Sequence, residues 1–306
     1  MTKRTANIML FFISALWGSG FIVTKMALDA NVTAGFINFV RGLIFSILAL
    51  LFFHQKIFRM TFNDFKIGLF AGLLNFIGYI TQTVGVKYTT PSNNAFISST
   101  YVIILPVVAW IAYKKPLKIK SSISIAFCLL GMAVLTGMTH RGVRLNPGDF
   151  YSLGSAFFYA CSIAYISYGT KDTDSAIVAF MLGIVQAIGG LGCFLAVDRG
   201  QLIEVNWQVA VLPLLYIGII CSFAAQTTQV IAQKHTSATT AGLIMMLEGL
   251  FGSLFSVVFG FEPFTLNMAV GGTIIMIALA LMEVDFNKLL TRQSGTLAKY
   301  FKPYST

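Results

Sequence analysis

The chain has 306 residues, of which 57% are hydrophobic and only 10% charged, with a mean hydropathy of +0.80. A soluble domain carries about 25% charged residues, so a water-soluble globular fold is excluded and a helical integral membrane protein is expected. The net charge of +10 would suggest a nucleic-acid partner in a soluble chain, but here lysine and arginine gather in alternate connecting segments, as an orientation signal does.

Ten apolar segments follow one another at 7–28, 31–53, 65–86, 91–113, 121–138, 148–169, 175–197, 207–231, 237–259 and 265–283. The fold class expected is all-α, with ten transmembrane helices as two inverted five-helix repeats. Lys3 and Arg4 precede the first segment. That start resembles a signal peptide, but the apolar run continues to about Ala27 without a small-residue cleavage site, so it reads as a first transmembrane helix. With the amino terminus inside, the inner connections and tail hold fifteen lysines and arginines and the outer ones five, Arg41 lying within a segment. Both termini are therefore expected in the cytoplasm, in a multi-pass protein of the cell (inner or plasma) membrane.

The chain repeats itself. Lys87–Pro116 reads KYTTPSNNAFISSTYVIILPVVAWIAYKKP, and 147 residues later Lys234–Pro263 reads KHTSATTAGLIMMLEGLFGSLFSVVFGFEP. Segments 3–5 and 8–10 align at that offset; segments 1–2 and 6–7 align loosely at about 142, which sets Trp17 opposite Tyr159. Five crossings per copy is an odd number, so the second copy enters the membrane from the opposite side, the arrangement of many secondary transporters. The organisation expected is a first repeat over 7–138, a second over 148–283 and a basic cytoplasmic tail over 284–306.

Polar residues at membrane depth need a partner or water. Asn75, Tyr79 and Gln82 in segment 3 share a helical face, and Ser222, Gln226 and Gln229 in segment 8 stand 147 residues after them. Segment 4 places Asn94, Ser98 and Tyr101 on one face, where segment 9 has Ala241, Met245 and Glu248. Interhelical hydrogen bonding alone accounts for any one of these amides; as a paired set they point to two walls of one wet cavity. Glu248 is the acid near the middle of its segment, where a charge is expensive, and its alternatives are proton coupling, capture of a substrate amine, or a structural pair with Arg41. Trp17 sits midway along segment 1, in the place of a cavity wall or a packing plug. Tyr165 and Tyr168 read as interfacial anchors, and the glycines at 183, 189, 190, 192, 271 and 272 as close-packing positions. The four cysteines lie in apolar segments without metal or disulfide spacing. No hydrolase elbow, P-loop or zincin motif occurs, so no enzyme, metal or cofactor is expected.

The residues LWGSGFIVTK (16–25), Arg41–Gly42, the stretch 85–117, LLGMAVLTG (129–137) and 234–263 together resemble the EamA-type ten-helix permeases of the drug/metabolite transporter superfamily, over about residues 7–283. Two departures stand out. The family's Leu-Glu-Pro in helix 9 is Leu247, Glu248 and Gly249 here, and helix 4 ends Tyr113, Lys114 and Lys115 without the family's acid. The resemblance implies an exporter of amino acids, related metabolites or drugs working by alternating access. The substrate-contacting residues expected from the paired stripes and the cavity-wall aromatics are Trp17, Asn75, Tyr79, Gln82, Asn94, Ser98, Tyr101, Tyr159, Ser222, Gln226, Gln229, Met245 and Glu248, with Glu248 and Arg41 as the charges. The partners expected are a small-molecule substrate, protons as a candidate coupling ion, and the bilayer, with no nucleic acid; oligomeric state is not legible. The alternatives are a nucleotide-sugar or lipid-carrier translocator of the same superfamily, and a non-transporting membrane sensor or scaffold.

Overall fold

The computed structural model describes residues 1–116, 119–135, 146–198 and 201–283; the tail at 284–306 and the end of the fifth segment at 136–138 lie outside the described residues. Ten helices are seen among the described residues. They are α1 (Lys3–Asp29), α2 (Ala34–Ile57), α3 (Phe62–Tyr88), α4 (Pro91–Tyr113), α5 (Ile119–Leu135), α6 (Pro147–Tyr168), α7 (Ser175–Val197), α8 (Trp207–Gln233), α9 (Ala238–Val258) and α10 (Leu266–Glu283). Eight are long and apolar enough to cross a bilayer, and α5 and α10 are shorter apolar helices. The chain is a multi-pass membrane protein.

Local chemistry starts these helices. Thr33, Thr90 and Ser237 accept backbone N–H groups at the starts of α2, α4 and α9, and Thr61 with Asp64 and Asn146 with Asp149 form capping boxes on α3 and α6. Thr90 and Ser237 are 147 residues apart, so the repeat extends to the cap.

The packing follows the repeat. α2 packs on α7 and α5 on α10; α6 packs on α3 and α4, as α1 packs on α8 and α9. Exchanging each helix for the one five places later reproduces the pattern. Loop contacts assign the ends to two faces. Asn206 N–H donates to Ala30 O at 3.1 Å and Gly35 N–H to Asp198 Oδ2 at 3.2 Å, on the face opposite the amino terminus, called here the far face. Lys56 pairs with Asp174 at 2.9 Å on the near face, where the amino terminus lies. Successive helices thus run in opposite directions, and two five-helix units related in this way are inverted.

The α2–α7 contact shows how glycine permits close approach. A Cβ on Gly42 would lie 2.3 Å from Ala187 N, on Gly35 2.5 Å from Phe194 N, on Gly190 2.3 Å from Phe39 N and on Gly183 2.9 Å from Ser46 N. Each glycine fits against bare backbone of the antiparallel partner. Gly189 meets the Phe76 ring, whereas Gly192, expected to pack closely, has nothing within 4 Å of its Cβ position. It lies off the seam, its Cβ position in open space.

α4 and α9 are both broken near their middles, at Thr100 and at Met246. Ile103 N–H bonds Thr100 O and Gly249 N–H bonds Met246 O, three residues back rather than four. In α4 the Thr100 hydroxyl also donates to the Ile97 carbonyl at 2.6 Å, which bends a helix, and Pro106 removes an N–H farther on. α9 has no proline and breaks at the matching place regardless. There a Cβ on Gly249 would lie 2.4 Å from Met132 Cε of α5, the flexible end of that side chain. α8 holds a π-helical stretch, Ile217–Ala224, soon after Pro213.

Candidate functional site

Between the two repeats lies a cavity with walls from α1, α2, α3, α4, α6, α8 and α9. It holds about 50 Å³ for the centres of water-sized spheres, room for about four waters. Of the residues singled out in the sequence, Trp17, Arg41, Asn75, Tyr79, Gln82, Tyr101, Tyr159, Gln229, Met245 and Glu248 line it. Asn94, Ser98, Ser222 and Gln226 do not line it; all four are fully buried.

Hydrogen bonds account for three of those four. Asn94 Nδ2 donates to Gln82 O at 3.2 Å and to Ser152 Oγ at 2.7 Å. Ser98 Oγ accepts from Gln82 Nε2 at 3.3 Å, so both residues hold Gln82 from behind. From the front, Tyr159 OH donates to Gln82 Oε1 at 2.8 Å. Ser222 Oγ accepts from Arg41 Nε at 2.9 Å and fixes the guanidinium, which lies 4.1 Å over the Tyr79 ring. Gln226 has no hydrogen-bond partner for either side-chain atom.

The aromatic wall is continuous. Tyr79 and Tyr101 each meet the Tyr159 ring edge to face, at 5.3 and 6.4 Å between centroids. Trp17 Nε1 donates to Cys221 O at 2.9 Å, inside the π-helical stretch of α8. Cys221 itself also lines the cavity.

Two ionisable side chains of opposite sign share this space. Arg41 is 4% exposed and Glu248 6%. They form no ion pair with each other, and among the described residues the ion pairs are Lys25–Asp29 and Lys56–Asp174. The structural pairing weighed for Glu248 is thus absent here, and both charges face the cavity.

Sequence reasoning passed over Phe21, Thr24, Thr83, Ser162, Ile217 and Cys221, which also line the cavity. Thr24 and Thr83 carried a legible signal as hydroxyls near the far-face ends of segments 1 and 3; Ile217 and Cys221 carried none. A second polar chain, Gln186 Nε2 to Asn38 Oδ1 at 3.1 Å and Asn38 Nδ2 to Thr83 Oγ1 at 3.0 Å, backs the cavity and ties α7 and α2 to α3. Tyr165 and Tyr168 lie at the near-face end of α6, Tyr165 edge to face on Phe70 at 4.8 Å and Tyr168 against Tyr113 at 5.1 Å. No group of metal-ligating side chains is found among the described residues.

The sequence profile of the EamA-like transporter family matches residues 4–137 and again residues 146–284. An uncharacterized transporter of Archaeoglobus fulgidus is 32% identical over 282 residues, 91% of this chain and 86% of its own length. A second uncharacterized transporter, of Methanothermobacter thermautotrophicus, is 23% identical over 71% of this chain and 64% of its own. Solute carrier family 35 member F2 of Xenopus tropicalis is 23% identical over 60% of this chain and half of its own. A solved crystal structure superimposes with a TM-score of 0.71 over 95% of this chain and 98% of that one, at 17% identity, a likeness of fold.

Proposed function

The chain belongs to the EamA-like transporter family, and from that premise we propose that it is a secondary active transporter that exports amino acids or related small metabolites or drugs by alternating access. Arg41 and Glu248 carry this reading: they line one cavity without pairing. Two unpaired opposite charges at membrane depth are costly unless something neutralises them. A zwitterion does so, its carboxylate on Arg41 and its amine on Glu248. Tyr79, Tyr101, Tyr159 and Trp17 supply flat apolar surface for a side chain. Gln82 and Gln229 offer amides from the matching positions of each repeat. A proton on Glu248 in the empty carrier, displaced by the amine, would couple export to the proton gradient.

The near face is taken as cytoplasmic, because Lys56, Arg59, Lys66, Lys114, Lys115, Lys171 and Lys234 end or connect helices there. The membrane is the cell membrane. A nucleotide-sugar substrate would bring two phosphate charges, and Arg41 is the one cation among the described residues lining the cavity.

The test is a thermal-stability screen of the purified protein across amino acids, polyamines and nucleosides, followed by counterflow in proteoliposomes. Zwitterionic amino acids should raise the melting temperature by mass action and exchange across the membrane. Stabilisation by polyamines alone would reject the zwitterion reading, and no exchange with any candidate would favour a sensor or scaffold.

A further inference from the structure

The two repeats share a fold but not their surroundings. In α3, Tyr79, Gln82 and Val86 all line the cavity. Their counterparts 147 residues later are Gln226, Gln229 and Gln233, and of these only Gln229 does. The cavity is lopsided for this reason. It reaches Thr24 and Val86, near the far-face ends of α1 and α3, and Arg41 and Ile217, in the far-face halves of α2 and α8. Toward the near face it stops at Gln229.

Around that stop the seam is polar but dry. Gln226 is 0% exposed, and neither its Oε1 nor its Nε2 has a partner. Gln233 is 1% exposed, its Oε1 has no partner, and its Nε2 reaches only Met245 Sδ at 3.8 Å. The Ser167 hydroxyl in the near-face half of α6 is likewise buried and unpartnered. A buried amide without partners is costly, and native structures rarely keep one without a reason. The near-face half of α8 packs on α1, α6 and α7, so lipid does not touch this stripe in place of water.

The near-face mouth of the seam is closed by charge. Lys56 at the end of α2 pairs with Asp174 at 2.9 Å, and the Lys234 ammonium at the end of α8 donates to the Thr173 carbonyl. A cavity bordered by Phe53, Lys56, Asp174, Thr227, Ile231 and Lys234 lies between these contacts.

We propose that this structure is the far-face arrangement of a two-state carrier, and that the near-face half of the path is the seam along Gln226, Gln229 and Gln233, shut by the Lys56–Asp174 pair and the Lys234–Thr173 contact. The argument is one of symmetry. Two inverted copies of one fold can exchange conformations, and each then occupies the surroundings of the other. After exchange Gln226, Gln229 and Gln233 line the cavity as Tyr79, Gln82 and Val86 do now, and the unpartnered amides meet water. The inference rests on the transport reading, but it identifies a pathway and a gate, not a substrate.

The test uses the full chain with its four native cysteines replaced and one cysteine introduced by Gln233→Cys or by Val86→Cys. A membrane-impermeant charged thiol reagent is applied from either side of sealed vesicles. Adding Lys56→Ala, which leaves the Asp174 cap on α7 intact, should raise Gln233→Cys labelling from the near face about fivefold and lower Val86→Cys labelling from the far face by a smaller factor, because the far-face state is the larger population. Gln226→Leu should act in the opposite sense at both positions. An unchanged Gln233→Cys rate overturns the proposal, and so does a rise at both positions together, which reports loosening rather than exchange. Labelling needs no substrate. Reciprocal labelling without amino-acid counterflow therefore counts against the zwitterion reading alone, and counterflow without reciprocity counts against this one.

Discussion

The Tyr159 hydroxyl donates to Gln82 Oε1 at 2.8 Å, joining α6 of the second repeat to α3 of the first across the cavity wall. Gly78 makes room for the ring, since a Cβ there would lie 2.7 Å from Tyr159 Cε1. With Ser98 and Asn94 behind it, Gln82 is held at its side-chain oxygen, its side-chain nitrogen and its backbone carbonyl. A side chain fixed so completely presents one geometry to a ligand.

Tyr159→Phe removes only the donor. The Gln82 oxygen is then left without its partner in a confined site, at a cost of about 1 kcal/mol in stability. Uptake kinetics in proteoliposomes should show KM rising severalfold with a smaller change in maximal rate. Unchanged KM and melting temperature together would remove the Tyr159–Gln82 bond from the site.

Glu248→Gln separates function from folding. Glu248 breaks no ion pair when neutralised, because it has none among the described residues. The melting temperature should hold or rise, since a buried unpaired carboxylate stabilises nothing. Transport of a zwitterion should fall at least about tenfold. A full rate with unaltered pH dependence would take Glu248 out of the mechanism.

Arg41→Lys keeps the charge and loses the shape. The guanidinium bonds Ser222 through Nε and stacks on Tyr79 at 4.1 Å, two roles an ammonium does not fill together. Affinity for the amino-acid ligand found by thermal shift should weaken about tenfold. Equal affinity would show that charge alone matters at this position.

The α2–α7 seam should tolerate no added atoms. Gly42→Ala sets a methyl against the Ala187 backbone nitrogen at 2.3 Å, an overpacking worth about 1–3 kcal/mol. Gly192→Ala on the same pair of helices meets nothing within 4 Å and should be neutral or gain up to about 1 kcal/mol from helix propensity. Thermal unfolding in detergent orders the two, and the reverse order would refute the seam.

The near-face lock should fail in acid. Burial of Asp174 works against its ionisation, but hydrogen bonds from the Lys56 ammonium and the Ala176 N–H, with attraction to Lys56 and Lys234, outweigh it and hold the carboxyl below its ordinary value. A depressed carboxyl contributes stability that is complete above its unfolded value, about 3.9, and is lost as pH falls through the folded one. From about pH 5 to about pH 3 the wild type should therefore lose more melting temperature than Asp174→Asn, whose side chain does not titrate. Parallel losses would show that the Lys56–Asp174 pair contributes nothing.

The amino-acid sequence by itself determined the membrane class, the ten apolar crossings and the doubled unit. These depend on composition along a single helix and on an offset of 147 residues, both one-dimensional properties. The stripes were legible for the same reason: a helical period tells which residues share a face, and Asn75, Tyr79 and Gln82 do line the cavity. Tertiary structure alone decided which polar side chains are free and which are spent. Ser222 is taken by Arg41, 181 positions away, and Tyr159 reaches Gln82 across 77. Those partners are set by how helices pack across the repeat boundary, as are the bond from Trp17 to the Cys221 carbonyl and the dry seam around Gln226. A hydrogen bond depends on distance in space, and no periodicity along one helix encodes which other helix will stand beside it.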